Sequence, residues 1–149
     1  MIRSDKRIRL CAALLAMNLV FIWGNSLLPG EVSGAFSDWV KEVLAMLLPG
    51  MEAGRQGTGL LRKIAHFTEF CTLGMCLGWL AGMLARPRYW ALAGGVLAAC
   101  IDETIQVFVP DRGPSLFDVG IDSCGVLTGI ALLQIGYSIV KQKNKGVRI

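Results

Sequence analysis

Residues Ile101 to Gly129 read IDETIQVFVPDRGPSLFDVGIDSCGVLTG, two apolar runs broken by Asp102, Glu103, Gln106, Asp111, Arg112, Ser115, Asp118 and Asp122. A charged side chain near the centre of a bilayer costs on the order of 2.5 kcal/mol or more, so such residues face a cavity or one another. The stretch therefore reads as the wall of a polar site, on two helices joined by a turn from Pro110 to Ser115.

Composition says what surrounds that site. Of 149 residues, 54% are hydrophobic and only 17% charged, and the mean hydropathy is +0.54. These values lie outside the soluble range and predict a small polytopic membrane protein of one domain over residues 1–149. The net charge of +4 hides a pattern. Arg3, Lys6, Arg7 and Arg9, then Arg86 and Arg88, then Lys141, Lys143, Lys145 and Arg148 occupy three short segments between or beyond apolar runs. The positive-inside rule puts all three segments, and with them both termini, in the cytoplasm. No groove-reading motif accompanies the basic residues, so no nucleic-acid partner is expected. Five cysteines, all within apolar runs and without a CxxC, suggest neither a disulfide framework nor a zinc site, and are expected to be small buried hydrophobes.

The fold expected is all-α, with four transmembrane helices over residues 8–28, 60–84, 89–109 and 116–140 and a short extracytoplasmic amphipathic helix. The first apolar run is longer than the core of a signal peptide and lacks an A-x-A pattern, so it is read as an uncleaved span that Pro29 and Gly30 end. Ser37 or Asp38 is expected to cap a helix through Leu48, with Pro49 and Gly50 as its stop. Trp39, Val40, Val43, Leu44 and Leu47 share one face of it, suited to a lid over the bundle or to the outer leaflet. Gly54 to Gly59 resembles a phosphate loop only in outline; without a strand before it or a GK[ST] it reads as a flexible linker. Gly74, Gly78 and Gly82 recur every four residues, a ridge that lets a neighbouring helix approach closely.

The topology makes a point that no single motif makes. Lys63, His66 and Glu69 fall at the start of the second span, Asp102 and Glu103 at the end of the third, and Asp118 and Asp122 at the start of the fourth. All are expected to meet in one outward-facing, extracytoplasmic pocket.

Three pieces resemble one family. KIAHFTEF is similar to its lysine and histidine motif. DETIQVFVPDRGPSLFDVGID is similar to its D-E-x-x-Q-x-x-x-P-x-R-x-x-S-x-x-D-x-x-x-N pattern, and Gly125 and Gly129 follow in register. This is the VanZ-like family, small bacterial membrane proteins named for a member associated with teicoplanin resistance. The resemblance runs from about Leu60 to Leu133, with Ser26 as a further match. Asp111 stands where the family often has glycine, and Asp122 where it usually has asparagine, so an amide that donates has become a group that accepts. The resemblance implies a role in the cell envelope or in glycopeptide tolerance.

The residues themselves suggest chemistry. His66, the only histidine, is the candidate general acid or base, with Glu69 one turn on to orient it and Asp102 or Glu103 as a second acid. Lys63, Gln106, Arg112, Ser115, Asp118 and Asp122 are candidate substrate contacts. Arg112 is expected at the membrane surface, held by its proline and glycine neighbours as a phosphate anchor. Four carboxylates against Lys63 and Arg112 suit an oxygen-bound divalent cation, and they also suit an internal ion-pair network that merely clamps three helices. The function expected is an enzyme on a lipid headgroup or lipid-linked envelope substrate. The alternative is a membrane protein that binds or excludes a lipoglycopeptide or a lipid without turnover. Four short spans with no charge in their inner halves argue against a transporter.

Overall fold

The computed structural model describes residues 2–47 and 58–146. They form five helices: α1 (Ile2–Ser26), α2 (Gly30–Leu47), α3 (Thr58–Met83), α4 (Tyr89–Val107) and α5 (Leu116–Gly146). In α1, α3, α4 and α5, stretches of 19 residues or more are apolar enough to cross a membrane. The protein is an all-α polytopic membrane protein.

Glycine decides which helices touch. A Cβ on Gly74 of α3 would run into the backbone of Val126, and one on Gly125 or Gly129 of α5 would run into the backbone of Phe67 or Cys71. α3 and α5 therefore approach backbone to backbone, the close packing that small residues allow where lipid supplies no hydrophobic drive. The ridge expected on α3 is real at Gly74 and Gly78 but ends there, since Gly82 has no neighbour within 4 Å. Around this pair the core is small and aliphatic, with Ile22, Phe70, Leu73, Ala91, Ala98, Ala99, Val126 and Ile130 buried together. Met17, Val20, Phe21, Leu97, Ile135 and Ile139 are exposed, as lipid-facing side chains are.

Three expectations need correction. The helix after the first span begins at Gly30 rather than at Ser37 or Asp38. α1 ends at Ser26, and Pro29 stands just before α2, its carbonyl accepting the Ser33 N–H at 3.1 Å to start the first turn. The Gly30 N–H is bonded to the Pro110 carbonyl at 3.1 Å, and the Asp111 backbone lies where a Gly30 side chain would be. The stop at Pro49 and Gly50 lies outside the described residues, as does the linker except for Thr58 and Gly59, which open α3. Finally, only Cys11 among the cysteines is buried, and Cys100 and Cys124 are exposed.

At the end of the bundle that carries Arg86-Pro87-Arg88, a cavity of about 690 Å³ is lined in part by Arg7, Trp79, Arg86, Arg88 and Tyr137. The acids lie at the other end.

Candidate functional site

At that other end, polar side chains from α1, α3, α4 and α5 meet inside the bundle. Ser26, His66, Asp102, Glu103, Gln106, Arg112 and Asp122 are all buried. Burial of so many polar groups is tolerated only when they satisfy one another, and Gln106 is the centre of that satisfaction. Its Nε2 donates to Asp102 Oδ2 at 2.9 Å and Glu103 Oε1 at 3.3 Å, with Ser26 Oγ at 3.5 Å. Its Oε1 accepts from Arg62 Nη2 at 2.7 Å. One amide thus joins α1, α3 and α4.

The turn after α4 closes the site. Ser115 caps α5, its Oγ accepting the Phe117 N–H at 3.1 Å, while its own N–H donates to Glu103 Oε2 at 2.7 Å. Glu103 therefore holds the start of α5 against the end of α4. Arg112 does not present its guanidinium to the outside of the bundle. It folds inward, and its Nε and Nη2 each donate at 3.0 Å, to the Leu28 and Asn25 carbonyls at the end of α1. The Asn25 carbonyl also accepts the Leu28 N–H at 3.2 Å, and a cation beside these last carbonyls meets the negative end of the helix dipole. Burial, with the Arg62 charge nearby, pulls the Arg112 pKa below its ordinary value, while Asp102, Glu103 and Glu69 oppose that pull.

The imidazole has other neighbours than the sequence suggested. The Nδ1 of His66 lies 3.8 Å from Asp102 Oδ2 and 3.8 Å from Asp122 Oδ1, on α4 and α5. Glu69, expected to orient the ring, instead accepts from Asn25 Nδ2 at 3.2 Å. Lys63 stays at the rim, 3.9 Å from Asp118 and over the Phe117 ring. His66, Asp102 and Asp122 offer one ligand atom each within 4.8 Å of one another, close enough to share a metal ion.

Beside this cluster runs a groove of about 390 Å³ between α1, α2 and α3. Its walls are largely apolar, including Phe21, Leu28, Val32, Val40 and Leu61, and its polar lining comes from Asn25, Ser33, Arg62, His66 and Glu69. A ligand with one greasy part and one polar part fits such a lining.

The family model for VanZ/LLP1 matches residues 8–137, from the first membrane-crossing helix well into the last. The chain belongs to the VanZ/LLP1 family. No curated protein and no solved structure matches it. The VanZ/LLP1 match includes α1, which supplies Asn25 and Ser26 to the cluster.

Two members of this VanZ/LLP1 site escaped the sequence reading, Arg62 and Asn25. Arg62 precedes His66 by four residues and Glu69 by seven, so the three form one helical stripe and the spacing could have found it. Asn25 had only its polarity inside an apolar run as a signal.

Proposed function

We propose that this VanZ/LLP1 protein is a membrane enzyme acting on a lipid headgroup or a lipid-linked envelope substrate from the extracytoplasmic face, with a link to tolerance of teicoplanin-type lipoglycopeptides. The observation that carries the reading is the groove. Apolar walls suit the lipid part of a substrate, and His66, Glu69 and Arg62 await its polar part in the lining. His66 and Glu69 are the groups able to exchange a proton there, and Arg62 is the cation for a phosphate or carboxylate. Asp102 and Asp122 stand 3.8 Å from the imidazole Nδ1, while Gln106, Arg112 and Ser115, whose polar groups are engaged within the protein, hold the framework. The positive-inside rule, applied to Arg86, Arg88 and the basic tail, supports the outward orientation.

A second reading is retention of an amphiphile without turnover, since the groove alone suffices to hold an apolar chain. Mass spectrometry of lipid extracts from cells with and without the protein separates the two. A lipid species that appears or disappears with the protein is the result expected of an enzyme, and unchanged extracts contradict it.

A further inference from the structure

We propose that His66, Asp102 and Asp122 bind one divalent first-row metal ion at the centre of the buried cluster. The inference rests on the reading of this cluster as the working centre, and its test keeps the two apart.

Three observations carry it. The first is donor geometry. His66 Nδ1 stands 3.8 Å from an oxygen of each aspartate, beyond hydrogen-bonding distance but near the ~3.4 Å edge of a tetrahedron built on metal–ligand bonds of ~2.1 Å. The second is the state of those donors. His66 Nδ1, Asp102 Oδ1 and both oxygens of Asp122 are buried without a hydrogen-bond partner in the protein, although His66 is only 6% exposed and both aspartates 0%. Buried polar groups are normally paired, and these need an explanation; of the two oxygens facing His66 Nδ1, Asp122 Oδ1 is orphaned and Asp102 Oδ2 accepts from Gln106. An adjoining cavity of about 10 Å³, lined by His66, Asp122, Glu103 and Asp118 with Arg62 and Lys63, has room for roughly one water-sized species.

The third is charge. Asp122 feels Glu69, Asp102, Glu103 and Asp118, which makes five carboxylates in one field. Against them stand Arg62, Lys63 and Arg112, three cations. Carboxylates crowded together in a low dielectric stay ionised only when cations join them, and a divalent ion among them would serve that end. One imidazole with two carboxylates suits zinc or manganese better than magnesium, which prefers oxygen alone. With the ion in place His66 is a ligand, and proton transfer at the groove falls to Glu69, which lines it.

Purified protein in detergent, stripped with a chelator, is titrated with Co²⁺ and followed by its visible spectrum. One Co²⁺ per chain, displaced by Zn²⁺, is expected. His66→Ala and Asp122→Asn are each expected to weaken it by at least about tenfold, the lower end of what losing even a supporting partner costs a metal site. Thr128→Ala, which removes a half-buried hydroxyl bonded to the Cys124 carbonyl on α5, is expected to bind like the native chain. Asp122→Asn keeps the side-chain volume and serves if His66→Ala does not fold. No Co²⁺ binding, equal binding by both variants, or a spectrum dominated by thiolate charge transfer overturns the proposal. Lipid extracts decide the function separately. Turnover that survives chelation leaves the enzyme standing and removes the ion, whereas Co²⁺ binding without lipid change does the reverse.

Discussion

His66 Nδ1 and Asp122 Oδ1 face each other at 3.8 Å across the α3–α5 contact, both buried and neither hydrogen-bonded within the protein. The same two helices are pressed together by glycines one and two turns deeper, so the separation is set by backbone packing rather than by side-chain choice. A network meant only to clamp helices would close such a gap. Interhelical polar pairs in membranes average about 0.6 kcal/mol, too little to justify an orphaned histidine and aspartate. The arrangement suits a group that waits for a ligand.

If the groove receives the apolar part of a substrate, filling it should stop function and spare the fold. Ala65 lines the groove beside His66 and carries no polar group of the cluster. Ala65→Trp is expected to abolish the lipid change while the thermal midpoint in detergent stays within a few degrees of native.

Arg112 is expected to matter for stability. Its fork donates from two separate nitrogens to the Asn25 and Leu28 carbonyls, a planar geometry that the compact ammonium of lysine does not reproduce. Arg112→Ala should cost about 3 kcal/mol, from two hydrogen bonds to a charged group at about 1.5 kcal/mol each at the low end. Arg112→Lys should recover less than half of that. Thermal denaturation in detergent measures both, and full recovery by lysine would show that the fork geometry is unimportant.

The glycine contacts give a directional test. A Cβ at Gly129 would meet the Cys71 carbonyl and Met75 nitrogen, so Gly129→Ala should destabilise by about 1–3 kcal/mol. Gly136 lies in the same helix with open space around it, and Gly136→Ala should be neutral or stabilising by up to about 1 kcal/mol. Equal effects at both positions would count against the α3–α5 contact.

Sidedness follows from the basic segments. Gly113, exposed in the turn between α4 and α5, is expected outside the cell, and Lys143 near the end of α5 inside it. With cysteine placed at each, a membrane-impermeant maleimide should label intact cells at position 113 and leave position 143 until the cells are broken. The reverse labelling would put the cluster on the cytoplasmic side.

Much of this was legible in the residues. Apolar runs separated by basic turns mark the four long helices, and acids such as Asp102 and Asp122 inside those runs mark where they converge. What was not legible depends on backbone contacts between distant segments. Arg112 turns inward because the ends of α1 and α2 come to the turn, through the Pro110 carbonyl on Gly30, and Asp111 adopts a positive φ of 56° beside them. Neither contact leaves a trace in local spacing. Glu69 is one turn from His66 along the helix, but the nearest acids to the imidazole come from other helices, and helical periodicity says nothing about those.

Reconstitution tests the central claim most directly. The purified protein is placed in vesicles made from bacterial envelope lipids, and the lipids are followed over time by mass spectrometry beside His66→Ala protein of equal amount and monodispersity. Loss of one lipid or lipid-linked species and growth of its product is predicted for the native chain, with a rate at least about a hundredfold lower for His66→Ala, which removes either the proton-transferring group itself or the ligand that holds the proposed ion in its place. Identical lipid profiles for native protein, variant and empty vesicles would contradict the account.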